Sequence, residues 1–234
     1  MNKVCIYHHL GLGDTIECNG MIRFYAEKYD TVDIFSKDNN YHNVCFMFKD
    51  NKKIKINKID KNHESIEVFN FLKQYKGDIL IPGHNNYVSN LDYFSKNNFG
   101  VAESFYYLAN VPWKYRNTKF YIERDLEKEK EVFNILNPDK QKYIFVHDDE
   151  SRGFKINNIT SNYKIIKNQK NIDMFYLITL LEKAEEIHCM SSSILCLVDC
   201  LTNICEFNKL FLHYNIRKIK IGPNTLKGKW KIIK

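Results

Sequence analysis

The chain's 234 residues are 44% apolar, enough to bury one large core or two small ones. Its 35 basic and 28 acidic residues leave a formal charge of +7, with 17 basic against 15 acidic in residues 1–125 and 18 against 13 in residues 126–234; that excess suits an anionic ligand held by the C-terminal half and is too small and scattered for a nucleic-acid surface. The seven cysteines (Cys5, Cys18, Cys45, Cys189, Cys196, Cys200, Cys205) form no CxxC pair, which favours reduced thiols over a disulfide scaffold or a zinc site, and with no signal-peptide pattern and no run near the roughly 20 apolar residues that cross a bilayer, a cytoplasmic protein without a transmembrane segment is expected.

Residues 3–7 (KVCIY) read as a buried strand, followed by a glycine-containing loop and a helix that starts at or beside Asp14 and ends near Lys28. Gly11 and Gly13 are able to take φ > 0 and to let a ligand approach the backbone, while the free N–H groups of the helix's first turn point into the same crevice. Residues 31–36 form a second strand, 39–48 an amphipathic helix, 54–56 a third strand, 66–75 a helix and 78–81 a fourth strand closed by Pro82-Gly83. This β-α-β-α-β-α-β alternation predicts a right-handed, parallel, doubly wound sheet. Segment 87–115 is aromatic and less regular, with a helix over 101–109.

A charged run opens a helix that stops before Asn137-Pro138, and a domain boundary is placed between residues 122 and 123. A second α/β run follows: strand 143–146, polar loop 147–153, helix 173–184, strand 187–190, a serine-rich turn, a helix to Leu201 and strand 210–213. The expected fold class is α/β, two small Rossmann-like domains with parallel sheets.

The glycine loop narrows the chemistry. Gly11-Leu-Gly13-Asp-Thr-Ile16 carries Ile16 where the dinucleotide fingerprint has its third glycine, and it lacks the Lys-Ser/Thr end of a P-loop. A Rossmann-type oxidoreductase or methyltransferase is therefore disfavoured, as is nucleotide triphosphate hydrolysis. No Asp-x-Asp pair occurs, and Asp148-Asp149-Glu150 is the sole acidic cluster in a suitable loop, so no metal is expected.

The Gly13-Asp14 pair after the first strand resembles the opening of heptosyltransferase-like glycosyltransferases of the GT-B fold. The run Ile187-His-Cys-Met-Ser-Ser-Ser through Leu201 is similar to the strand, turn and helix that hold the donor diphosphate in that family, and His147 to Gly153 follows the first strand of the second half in the same way. The chain departs from the family pattern at Gly11, Ser191, Ser193 and Cys196, where members carry a basic residue, an acid, a glycine and a histidine. The resemblance implies two domains with a cleft between them, an acceptor-side N-terminal domain over residues 1–122, a donor-binding domain over 123–234, and Asp14 as the base that takes the acceptor hydroxyl's proton.

The residue chemistry agrees with that implication. Sugar transfer with inversion needs a carboxylate in reach of the acceptor hydroxyl and a donor-rich cradle for the leaving diphosphate. Asp14 supplies the first. Gly11, Gly13, His147, Arg152, Ser191, Ser192 and Ser193 are the candidates for the nucleotide sugar, and His8, His9 and His84 for the acceptor. No cofactor is expected beyond a nucleotide-diphosphate sugar donor, and the partners are that donor and a glycan or other hydroxyl acceptor. The competing readings are local: Asp14 as an ordinary N-cap, the serines as a cap ahead of a core helix, Arg152 as a solvated ion pair. A non-catalytic nucleotide- or glycan-binding module is the alternative of a different class.

Overall fold

The computed structural model describes residues 2–157, 159–169, 171–206, 209–217 and 225–234, and of His84, Asn85, Ser151 and Cys205 the backbone alone. The chain folds as two compact units, one holding the chain up to Glu123 together with Thr225, the other holding the remainder from Arg124.

The first unit is the doubly wound sheet that the alternation predicts. Strand β1 (Lys3–Ile6) leads into helices α1 (Leu12–Glu17) and α2 (Asn19–Lys28), then β2 (Thr31–Lys37), α3 (Tyr41–Phe48), β3 (Ile54–Ile59), α4 (Glu64–Gln74) and β4 (Asp78–Leu80). All pairs are parallel in the order β3-β2-β1-β4, with Val4 opposite both Val32 and Asp78. A central parallel strand is covered on both faces and so reads as an unbroken apolar run; Val4, Cys5 and Ile6 are fully buried. Cys5 and Tyr7 pack with Leu10, Phe35, Ile59, Val68 and Leu72 into one core cluster. The edge strand β3 leaves Lys55 and Lys58 exposed, which discourages pairing with another sheet.

The helix expected over 14–28 is two helices that meet at Cys18. The aromatic stretch after β4 is more regular than it reads, with α5 (His84–Ser89), α6 (Leu91–Lys96), α7 (Val101–Leu108) and α8 (Tyr115–Thr118). The strand order reverses at β1, whose neighbour β4 lies on the opposite side from β2, and the open end between β1 and β4 is where ligands sit in sheets of this kind.

The second unit contains α9 (Leu126–Leu136), β5 (Tyr143–His147), β6 (Lys164–Lys167), α10 (Ile178–Glu182), β7 (Glu186–Cys189), α11 (Ser193–Cys200), α12 (Thr202–Cys205), β8 (Lys209–His213) and β9 (Trp230–Ile233). Its sheet is parallel in the order β6-β5-β7-β8-β9, reversing between β5 and β7. Strands β6 and β9 were not expected; they are four-residue edge strands, each carrying lysine. Asp173 caps a 3-10 turn over Met174–Leu177 before α10, where one continuous helix was expected. On one face Tyr143 meets the Phe133 ring of α9 and donates its hydroxyl to the Leu180 carbonyl of α10. On the other, Ile144 and Val146 are covered by Ile156, Ile159 and Ile216 from non-helical chain. Among the described residues no helix is long and apolar enough to cross a membrane.

Candidate functional site

In the first unit the reversal point is built from two loops in contact. Tyr7 continues β1 by donating its N–H to the Leu80 carbonyl at 2.8 Å, and the chain then passes through His8-His9-Leu10 to Gly11. Gly83, just past β4, lies so close that a Cβ there would stand 2.7 Å from the His9 nitrogen and 2.8 Å from the His8 carbonyl carbon. His8 is fully buried, its Nδ1 2.5 Å from the His9 carbonyl oxygen. His9 is half-buried, set edge-on to Phe105 at 4.9 Å and to Tyr87 at 5.8 Å. His84 opens α5 beside them, but its side chain lies outside the described residues.

Asp14 sits in the first turn of α1. It is not the N-cap. Gly11 caps the helix with φ −68° and ψ 146°, and Thr15 donates both its N–H (3.0 Å) and its hydroxyl (3.1 Å) to the Gly11 carbonyl. Gly13 is a residue of the helix itself, and the glycine with positive φ among the described residues is Gly153. The expectation that Gly11 and Gly13 serve by taking φ > 0 is thus replaced by one of space: a Cβ on Gly11 would stand 2.5 Å from Asp14 Oδ2. The half-buried carboxylate folds back over the capping residue, and the absent side chain makes that possible. Ile16, in the third-glycine position of the dinucleotide fingerprint, is fully buried.

In the second unit the reversal point lies between the ends of β5 and β7. His147 ends β5, with Nδ1 2.8 Å from Asn168 Oδ1 just beyond β6. Burial holds its imidazole below the ordinary pKa, against the opposing pull of Asn168, Asp148 and Asp149. Because a carboxamide oxygen only accepts, Nδ1 carries the proton of the neutral ring. The acidic cluster is engaged locally: Asp148 is buried and accepts from Ile156 N–H (3.1 Å) and Lys167 Nζ (2.8 Å), while Glu150 accepts from the same lysine at 3.0 Å. Arg152 donates from Nε to Asp149 Oδ2 at 2.5 Å, with its side chain 54% exposed.

The serine turn divides its roles. Ser192 is the N-cap of α11, accepting the Leu195 N–H at 3.4 Å. Ser193 is the first helical residue, half-buried. Ser191 is buried, and its carbonyl accepts a hydrogen bond of 3.0 Å from Arg217 Nη1. Arg217 follows β8 and was not read from the sequence; a lone arginine in a loop carries no local signal. Its guanidinium carbon lies 6.0 Å from the Phe154 ring centroid and that of Arg152 lies 5.6 Å from the same ring. Among the described residues Arg217 has no carboxylate partner. Two guanidinium groups thus gather on one aromatic ring beside the start of α11, at the C-terminal ends of β5, β7 and β8.

No protein-family model matches the chain, and no curated protein matches its sequence. Solved structures do match. The glycosyl transferase family 9 protein from Veillonella parvula DSM 2008 aligns with a TM-score of 0.60 over 99% of this chain and 86% of its own, at 9% identity. The E. coli ADP-heptose lps heptosyltransferase II aligns with a TM-score of 0.53 over 100% of this chain and 90% of its own, also at 9% identity. The chain shares their fold. The two parallel sheets with their helices are the GT-B-like architecture that the Gly-Asp pair and the serine turn lead one to expect, and at this identity the likeness is one of fold.

Proposed function

We propose that the protein is a glycosyltransferase that moves a sugar from a nucleotide-diphosphate donor to a hydroxyl of a glycan or related acceptor, with inversion and without a metal. The observation that carries this reading is the gathering of Arg152, Phe154, Arg217 and the turn Ser191–Ser193 at the strand-order reversal of the second unit. Guanidinium forks and the unpaired N–H groups of a helix's first turn are complementary to a diphosphate, and ligands of parallel sheets sit at that reversal. The fold shared with two transferases supports the same reading.

In this mechanism the acceptor oxygen attacks the anomeric carbon as its proton passes to the Asp14 carboxylate, and the bond to the diphosphate oxygen breaks with its electron pair on the leaving group. Arg217 and Arg152 stabilise the negative charge that develops there. Ser193 adds its backbone N–H and hydroxyl, whereas the Ser192 hydroxyl is committed to the cap. His9, with Phe105 and Tyr87 around it, lines the acceptor side.

A mass-spectrometric screen of nucleotide sugars, with and without glycan acceptors, tests the proposal. Release of a nucleoside diphosphate by the parent chain and not by Asp14→Asn is the expected result. Nucleotide binding with neither hydrolysis nor transfer of any donor would instead make the chain a binding module.

A further inference from the structure

Helix α1 has six residues, too few to fix its own direction, and it carries Asp14 in its first turn. What breaks the longer helical pattern at Cys18 is visible at atomic level. In an uninterrupted helix the Met21 N–H would donate to the Glu17 carbonyl. Instead it donates to the Tyr106 hydroxyl at 3.1 Å, and that hydroxyl donates to the Glu17 carbonyl at 2.9 Å. A tyrosine oxygen from α7 thus occupies the gap between α1 and α2, the kind of insertion that bends a helix. Tyr106 is fully buried, so the two backbone groups depend on it.

The same residue, Glu17, is gripped by its side chain. Arg116 of α8 donates from Nε to Glu17 Oε2 and from Nη2 to Oε1 at 2.8 Å, and the arginine is fully buried. Trp113 lies 5.4 Å under the guanidinium and 5.2 Å edge-on from Tyr106. Gly20 lets this layer close, since a Cβ there would fall 2.0 Å from the Tyr115 carbonyl oxygen. A buried ion pair often contributes no more to stability than well-packed apolar side chains of the same volume, and in some proteins it serves instead to specify one arrangement. Here the specified element is the last residue of α1, three positions and under one turn from Asp14.

We infer that Tyr106, Arg116 and Glu17 are positioning residues that set the direction of α1 and so the placement of the Asp14 carboxylate. This rests on the reading of Asp14 as the base. Tyr106→Phe removes one oxygen and keeps the ring, so the Met21 and Glu17 backbone groups either close on each other, turning α1, or stay unpaired.

The experiment compares Tyr106→Phe and Arg116→Lys with the parent and with Asp14→Asn, measuring kcat, its pH profile, nucleoside diphosphate affinity and amide exchange at Met21. Tyr106→Phe is expected to lower kcat by about ten- to a hundredfold, the scale of a small misplacement at a reacting group, to shift the acid limb of the pH profile, to leave nucleotide affinity within about twofold and to speed Met21 exchange. Arg116→Lys, which keeps the charge and loses the fork, is expected to lower kcat in the same sense. A parent-like kcat and pH profile in a folded Tyr106→Phe protein, with Asp14→Asn inactive, overturns the positioning role alone. Normal turnover by Asp14→Asn overturns the reading of Asp14 itself, whatever the other variants do.

Discussion

Arg217 Nη1 donates to the carbonyl oxygen of Ser191 across 3.0 Å, linking the loop after β8 to the turn that starts α11. This bond aims a cation that has no carboxylate partner among the described residues, whereas Arg152 is tied to Asp149. Arg217→Ala is therefore expected to weaken nucleoside diphosphate binding by about 10- to 100-fold, the value of one or two charge-assisted hydrogen bonds, and Arg152→Ala to weaken it less. Calorimetric titration with a nucleoside diphosphate and the matching nucleoside reads this directly. An equal loss for both ligands would move Arg217 away from the phosphates.

Gly11 and Asp14 are coupled by space. Alanine is at ease at the Gly11 φ of −68°, but its Cβ would stand 2.5 Å from Asp14 Oδ2, so the carboxylate has to move. Gly11→Ala is expected to cut kcat by at least about tenfold while the melting temperature barely changes. Asp14→Asn is expected to cut it by about 10²- to 10⁴-fold, the usual contribution of a general base, with nucleotide affinity preserved. Unchanged turnover in Gly11→Ala would mean that the carboxylate's resting place is irrelevant to the reaction.

Two buried histidines make the second unit sensitive to acid. His188 Nδ1 and His213 Nε2 are 2.9 Å apart, with Phe211 stacked on His188 at 4.4 Å and Glu186 Oε2 at 3.4 Å from its Nε2. Burial, then the neighbouring His188, pushes His213 down from 6.5 to about 4, and burial lowers His188 as well. Well above pH 6.5 both the folded and the unfolded imidazoles are neutral, and the pair adds no pH dependence. As pH falls below 6.5 the unfolded chain takes up protons that the folded one refuses, so stability declines until folded His213 titrates near pH 4. The loss from His213 is at most about 3 kcal/mol. Urea unfolding between pH 7 and 4, followed by Trp230 emission in a Trp113→Phe background, is expected to show this slope, and His213→Gln to flatten it. A slope that survives the substitution would assign the acid sensitivity to other groups.

Asp199 is fully buried on α11 and, among the described residues, accepts from Lys227 N–H at 2.8 Å, Gly228 N–H at 2.8 Å and the Trp230 indole at 2.7 Å. Asp199→Ala leaves those donors without their acceptor and is expected to destabilise the second unit by about 3 kcal/mol and to shift Trp230 emission to the red as β9 loosens. Emission and stability both like the parent's would show that the segment is held by its strand pairing alone.

Legibility follows the range of the forces involved. The opening strand, glycine loop and helix start are readable because Val4 to Ile6 form an apolar run and Gly11 to Asp14 punctuate it within a few residues. Edge strands β6 and β9 escape notice because four residues with lysines among them have too little periodicity to stand out from loop. Arg217 escapes because nothing near it in the chain differs from a solvated loop.

Chain order, apolar periodicity and turn chemistry are local properties, and they settle the strands β1 to β5, β7 and β8, the parallel α/β class and the loops that follow β1, β5 and β7. The break between α1 and α2 and the gathering of Arg152 and Arg217 on Phe154 were decided by folding. Tyr106 is 85 positions from the Met21 nitrogen it accepts from, and Arg217 26 positions from the Ser191 carbonyl. Contacts of that span arise from which strands become neighbours, and side-chain patterning along a single segment carries no record of them.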